Sequence, residues 1–196
     1  MIVRLSLIAI DRFLVRSSDR DAWHSVRSGG VSATRASRIA TPAGFKKELV
    51  TPDDDWGGNA YTQWGSDTEA AIAGLVKNEL GLMPNDWLIA SEWDPTWFAT
   101  PDMLSLDHRR IGEIKTTGKD FKTIPKDYMR QIQWQLLVTG AEECEFIWML
   151  RAGDKRDGFY PAWIDPKVRL VERDEEMIEE LAGKARAFQD QFGLAA

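Results

Sequence analysis

ATPDMLSLDHRRIGEIKTT, residues 99–117, is the stretch whose reading decides the fold. Strands favour β-branched and aromatic residues, and charged groups on them ordinarily face water. Here Glu113 and Lys115 flank Ile114 inside such a run, and Asp102 directly follows Pro101. A strand sends alternate side chains to opposite faces, so Glu113 and Lys115 share one face and Ile114 enters the layer behind. A turn near His108 folds the two halves into an antiparallel pair and returns Glu113 to the side of Asp102. Two readings fit: a half-exposed strand with a salt-bridged rim, or a metal site.

The second reading has definite chemistry. Two carboxylates that meet repel each other unless a divalent cation sits between them. Mg²⁺ suits the position, a hard ion held by one or two carboxylates plus water and phosphate oxygens, with Mn²⁺ as a substitute. Such an ion lowers the pKa of a water and balances charge developing on phosphorus. Lys115 can position or deprotonate that water, or neutralise the phosphoryl oxygen. Glu69, on a helix predicted over residues 66–80, is a third acid within reach. Singly, each of these acids reads as a surface charge.

Working outward, residues 32–40 read as a short helix and 66–80 as a longer one stopped by Gly81. Residues 87–93, 97–106 and 110–117 then read as successive strands, with turns at Asp94-Pro95 and Asp107-His108. Residues 125–138 are helical and end before Gly140. Residues 145–151 and 159–164 are further strands, and 173–188 an amphipathic helix. This order predicts an α/β fold, a mixed sheet flanked by helices, in one domain over residues 1–196. Residues 1–20 are expected to be a leader or an edge strand, 51–59 (TPDDDWGGN) a loop, and 172–193 to contain the C-terminal helix.

The bulk numbers exclude several classes. The chain has 196 residues, 43% hydrophobic and 29% charged, which suits one soluble domain. No apolar run is long enough for a membrane helix, and the start lacks the h-region and cleavage site of a signal peptide. One cysteine, Cys144, excludes a disulfide framework within the chain and a four-cysteine cluster; it reads as a core residue of a strand, in a cytoplasmic protein. The net charge of −6 argues against nonspecific coating of nucleic acid. Locally, residues 22–47 carry Arg27, Arg35, Arg38, Lys46 and Lys47 and no acid, while the last helix is acidic. Ser32 and Thr34, near the start of the first helix, and Arg27 before it read either as an ordinary capped helix or as an anion site. His24 reads as structural and His108 as an exposed turn residue. The nine tryptophans read first as core, with Trp56, Trp64 and Trp134 near enough to the acids to stack on an unpaired base.

Four blocks in order carry a family resemblance: Trp23-His24-Ser25-Val26-Arg27 with Gly29 and Val31-Ser32-Ala33-Thr34; Gly65 with Glu69; Pro101-Asp102 with Glu113-Ile114-Lys115; and Tyr128-Met129-Arg130-Gln131-Ile132-Gln133. Together they resemble the PD-(D/E)XK nuclease superfamily and, within it, the phage lambda exonuclease and YqaJ-like viral recombinases. The resemblance implies a restriction-endonuclease-like core and a Mg²⁺-dependent 5′ exonuclease acting on double-stranded DNA ends in phage-type recombination. It implies Asp102, Glu113 and Glu69 as metal ligands, Lys115 as the catalytic lysine and Gln131 as a supporting glutamine. Arg27 and Thr34 fall where the lambda-type enzyme holds the terminal 5′-phosphate; Thr34 replaces the usual serine. A homotrimer and a single-strand-annealing partner are implied as well. An endonuclease or 3′-directed nuclease of the same fold, or a DNA-binding recombination accessory that cuts nothing, are the alternatives. The intact acid–acid–lysine set counts against the last.

Overall fold

The computed structural model describes residues 7–50, 59–163 and 165–193. After a 3₁₀ turn at Ile10–Arg12, the chain runs β1 (Phe13–Arg16), α1 (Arg20–Ser28), β2 (Val31–Ser32), α2 (Ala33–Ile39) and α3 (Pro42–Val50). It continues through α4 (Ala60–Leu80), β3 (Leu82–Pro84), β4 (Trp87–Ala90), β5 (Trp97–Ala99), β6 (Met103–Ser105) and β7 (Arg110–Thr117). The remainder is α5 (Lys126–Thr139), β8 (Glu143–Asp154), β9 (Gly158–Pro161), β10 (Lys167–Glu172) and α6 (Glu175–Phe192).

Two sheets result. The larger has the order β10-β8-β7-β6-β3, with β9 paired to the far end of β8; the smaller has the order β1-β4-β5-β2. Strands β7 and β8 are parallel, which requires a crossover, and α5 supplies it. Their neighbours β6 and β10 are antiparallel to them. This is the mixed, helix-flanked sheet expected from the sequence.

The larger sheet is covered on both faces. Ile72, Ala73 and Val76 of α4 pack on Leu82, Met103, Ile114 and Ile147. On the opposite face Ile132 and Leu136 of α5 pack on Ile111, Cys144, Phe146 and Trp148. A third core joins α2, α5 and α6 through Ile39, Trp134, Val138, Leu181 and Phe188. The smaller sheet is tied in by Trp134 Nε1, which donates to the Phe98 carbonyl at 3.0 Å, and by Gln189 Oε1, which accepts from Trp97 Nε1 at 2.8 Å.

Several boundaries differ from the sequence reading, each for a local reason. The single strand expected over residues 97–106 is two strands in different sheets. The break falls at Thr100-Pro101-Asp102, where proline removes a ladder donor and fixes φ. Helix α4 starts six residues earlier than expected: the Asn59 side chain accepts from the amides of Tyr61 and Thr62, and Thr62 Oγ1 returns the bond. Gly81 and Gly140 stop their helices with φ of 65° and 78°, as the sequence signals. Helices α1 and α3 and the strands β2, β3 and β10 were not foreseen; β10 buries only Val171, so it carries little apolar pattern. Within residues 1–20, Phe13–Arg16 form β1, an edge strand of the smaller sheet that pairs with β4. Residues 1–6, 51–58 (where the sequence reading placed a loop with Trp56), 164 and 194–196 lie outside the described residues.

Candidate active site

The register of β6 and β7 builds the acid pair. Met103 stands opposite Gly112 and Leu104 opposite Ile111, which brings Asp102 to the level of Glu113. Asp102 Oδ2 accepts from the Ile114 amide at 2.6 Å. The connecting turn depends on His108, whose φ is 58°. Its Nδ1 accepts from the Ile8 amide at 2.8 Å, and burial lowers its pKa, so His108 is a tethered turn residue and not a free surface group.

Glu113 and Lys115 share a face, as the strand period requires. Glu113 is only 3% exposed. Lys115 Nζ pairs with its Oε1, and Gln135 Nε2 donates to its Oε2 at 2.7 Å. The Lys115 ammonium lies 5.3 Å from the ring centroid of Tyr128 on α5. Glu69 reaches the same region from α4, one turn after Gly65; a Cβ on Gly65 would stand 3.1 Å from Thr116 Oγ1 on β7.

These groups perturb one another. Burial, then the charges of Glu113 and Glu69, raise the pKa of Asp102 well above the usual carboxylate value, against the Ile114 hydrogen bond and Lys115. Burial and Glu113 raise Glu69 as well, with Lys115 opposing. For Lys115, burial alone would favour the neutral amine, but Glu113 and Asp102 outweigh it and the pKa rises. Cys144 is buried in β8, where desolvation and then the same two acids push its thiol well up, so it is no nucleophile.

Two connected spaces adjoin this centre. A cleft of about 710 Å³ is lined by Glu69, Lys115, Thr116, Tyr61, Tyr128 and Arg151, among others. A smaller cavity of about 200 Å³ is lined by Asp102, Glu113, Lys115, Arg27, Trp23 and Thr100, among others. Thr34, Lys115 and Gln131 line both. The chain therefore brings Arg27, Thr34, Gln131, Asp102, Glu113 and Lys115 to one cavity, with Glu69 on the adjoining cleft.

The small cavity has a feature the sequence reading missed. Among the described residues, the buried side-chain polar atoms without a hydrogen-bond partner are Trp23 Nε1, Thr100 Oγ1 and Gln135 Oε1, and all three residues line this cavity. A buried polar group left unpaired costs about 1–3 kcal/mol, so these three atoms leave hydrogen-bonding capacity that a water or polar ligand filling the cavity would satisfy. Helical spacing offered a signal for Gln135, one turn beyond Gln131. Thr100 and Trp23 offered only their nearness in sequence to Asp102 and Arg27.

Other expectations are corrected. Trp134 is fully buried, so it cannot stack on a base. Ser32 caps α2, its Oγ accepting from the Arg35 amide at 3.4 Å, and α2 is only seven residues long. Arg35 is 2% exposed and pairs with Glu48 at 3.4 Å, so it belongs to the scaffold. Arg27 lies 4.7 Å from the Trp23 ring, on the cavity wall. His24 packs edge-on against Trp23 at 5.1 Å, a structural role.

Hard oxygen donors that raise one another's pKa are the chemistry a divalent cation relieves. Asp102, Glu113 and Glu69 supply that donor chemistry, and Gln135 Oε1 adds an unpaired oxygen. Among the described residues no three His, Cys, Asp or Glu side chains yet converge as a ligand set; Lys115 and Gln135 hold the oxygens of Glu113.

Comparison with known proteins bears on the family and the fold. The family model of the YqaJ-like viral recombinase domain matches residues 22–142. No curated protein sequence matches the chain significantly. Among solved structures, the alkaline exonuclease LHK-Exo from Laribacter hongkongensis superposes with a TM-score of 0.64 at 23% identity, covering 88% of this chain and 92% of that one. Its complex with dAMP gives 0.66 and 24% over the same shares. A phage-related exonuclease from Haemophilus somnus 129PT gives 0.65 at 15% identity, covering 83% and 93%. These likenesses fix the fold, that of the phage-type exonucleases with a restriction-endonuclease-like core. With well over half of its length matched by one family model, the chain belongs to the YqaJ-like viral recombinase domain family.

Proposed function

We propose that the protein is a metal-dependent deoxyribonuclease that removes nucleotides from the 5′ end of duplex DNA in phage-type recombination. Family membership supports a nuclease of phage recombination. The observation that carries the finer reading is the small cavity, where three unpaired buried polar atoms, Arg27 and Thr34 face the same space as Asp102 and Glu113. A space of about 200 Å³ takes a terminal group more readily than a chain running on in both directions. A 5′-phosphate fits its donors: the Trp23 N–H, the Thr100 hydroxyl and the Arg27 fork. The neighbour of like fold crystallised with dAMP, a deoxynucleoside monophosphate, and such a molecule is the product this reaction would release.

In this reading Asp102, Glu113 and Glu69 would hold Mg²⁺, or Mn²⁺ in its place. When bound, the ion supplies charge to balance the phosphorane and acidifies a water. The chain's own residues do the rest. Arg27, Trp23 and Thr100 anchor the end, so the next phosphodiester falls beside Lys115. Lys115 donates to the attacking water or to a non-bridging oxygen. Gln135 keeps Glu113 oriented, and Gln131 lines the cavity beside it. Water adds to phosphorus and gives its proton to solvent, the bond to the 3′-oxygen breaks, and the leaving 3′-oxygen takes a proton from a solvent water. A ring of three subunits and an annealing partner belong to the same proposal.

The test is a duplex labelled at one end or the other and incubated with Mg²⁺. Release of 5′-mononucleotides from the 5′ end supports the proposal. Internal cuts, 3′ release, or full activity in EDTA overturn it.

A further inference from the structure

The larger cleft carries a wall that the chemistry above does not use. Tyr61, in the first turn of α4, and Arg151, on β8, both line it. The Arg151 guanidinium lies 4.6 Å from the Tyr61 ring centroid and 5.6 Å from that of Phe159 on β9. Lys155, in the hairpin turn, sits 5.1 Å from the Tyr61 ring. The Tyr61 and Phe159 rings are 5.0 Å apart, and Trp64 backs Phe159 at 6.2 Å. Tyr61 remains 38% exposed.

The wall is fixed to the catalytic strand. Arg151 donates to the carbonyl of Thr116, the residue after Lys115, at 3.2 Å. Its charge is also unspent. Asp154, between Arg151 and Lys155, gives its carboxylate to the amides of Arg156 and Asp157 at 2.7 and 3.0 Å. Among the described residues no carboxylate forms an ion pair with Arg151 or Lys155. In a chain of net charge −6, Arg151 on the cleft wall, with Lys155 beside the Tyr61 ring, marks where an anion enters.

We propose that this wall binds an unpaired, single-stranded stretch of the nucleic acid whose end lies at the acid pair, an inference that rests on the nuclease reading of that centre. An aromatic face stacks on any unpaired base whatever its identity, whereas a paired base hides its faces in the duplex. The planar Arg151 fork and Lys155 ammonium take the flanking phosphates. Tyr61 and Arg151 are therefore binding residues: they hold the strand away from the reacting atoms.

The test compares Arg151→Ala and Tyr61→Ala with wild type on two 5′-phosphorylated single strands in Mg²⁺, one a dinucleotide and one of twelve nucleotides. Each variant should raise KM for the longer strand about tenfold, a typical loss for one stacking or phosphate contact. It should leave kcat, and both constants for the dinucleotide, near wild type. Tyr61→Phe should restore the lost affinity, since the ring face and not the hydroxyl does the stacking. Equal losses on both substrates, or none on the longer one, overturn the proposal. Fluorescence anisotropy of the labelled twelve-nucleotide strand without metal separates the two readings. If wild type binds that strand and Arg151→Ala does not, the wall stands even where the cutting activity fails. If both bind equally, the wall falls while the nuclease reading is untouched.

Discussion

At the scale of single residues, the acid pair stores a cost that function explains. Asp102 is surrounded by protein and by two other acids, and its pKa is raised. A carboxyl with a raised folded pKa contributes stability that is fully present below its unfolded pKa and lost as pH rises through the folded value. Metal-free protein should therefore lose stability from this group as pH climbs out of the ordinary carboxylate range. Asp102→Asn keeps an oxygen for the Ile114 amide and removes the charge. It should raise the stability of metal-free protein by about 1–2 kcal/mol near pH 8, a gap that closes toward pH 4, while abolishing turnover. Thermal melts across that range, with and without Mg²⁺, check this: Mg²⁺ should raise the Tm of wild type and not of the variant. Lys115→Ala should lower kcat at least a hundredfold with DNA affinity little changed, since its contact strengthens as charge develops. Lys115→Arg should recover little of it. Single-turnover rates and equilibrium binding separate the two effects. At this scale Asp102, Glu113 and Lys115 were legible because strand period and turn position fix which side chains meet. Thr100 and Trp23 were not, because an unpaired buried atom is a property of the surroundings and leaves no mark in local sequence; Gln135 was marked only by its helical spacing from Gln131.

At the scale of elements, the small cavity depends on how α1 and α2 dock on the smaller sheet. Gly30 makes the turn between them, where a Cβ would stand 1.9 Å from the Thr96 carbonyl oxygen. Val31 then pairs with Trp97 on β5, and Arg35 NH1 donates to the Gly30 carbonyl from the buried side. Gly30→Ala should force that backbone apart and destabilise the fold by roughly 3 kcal/mol, as denaturant unfolding would show, and it should weaken 5′-phosphate selection even in the surviving folded fraction. Glu48→Gln removes the partner of buried Arg35 and should cost about 3–5 kcal/mol. The elements around the acid pair were readable from pattern: β7 matches residues 110–117, and α5 ends at its glycine. The two-sheet split was not. One proline between two strands of like composition shows that the ladder breaks, but which sheet each half joins is decided by Trp97, Trp134 and Met103 packing in different cores. The basic run at residues 22–47 misled in part, since Arg35 serves the scaffold and only geometry separates it from Arg27.

At the scale of the molecule, an acidic protein sets basic residues on the two spaces that adjoin its acid pair, Arg27 on the small cavity and Arg151 on the larger cleft. Among the described residues no helix is long and apolar enough to cross a membrane. The central claim is that the small cavity receives a terminal phosphate and thereby places the next phosphodiester at the acid pair. A terminal phosphate carries more negative charge than an internal diester, so the cavity should select ends. The most direct measurement is the initial rate of Mg²⁺-dependent degradation of matched duplexes bearing 5′-phosphate or 5′-hydroxyl ends, for wild type, Arg27→Ala and Trp23→Phe. The account predicts that wild type favours the phosphate by at least tenfold, from one charge-assisted contact worth about 1.5–3 kcal/mol, and that both variants lose most of that preference while still binding metal. Equal rates on the two ends in wild type, unchanged by either substitution, would contradict it.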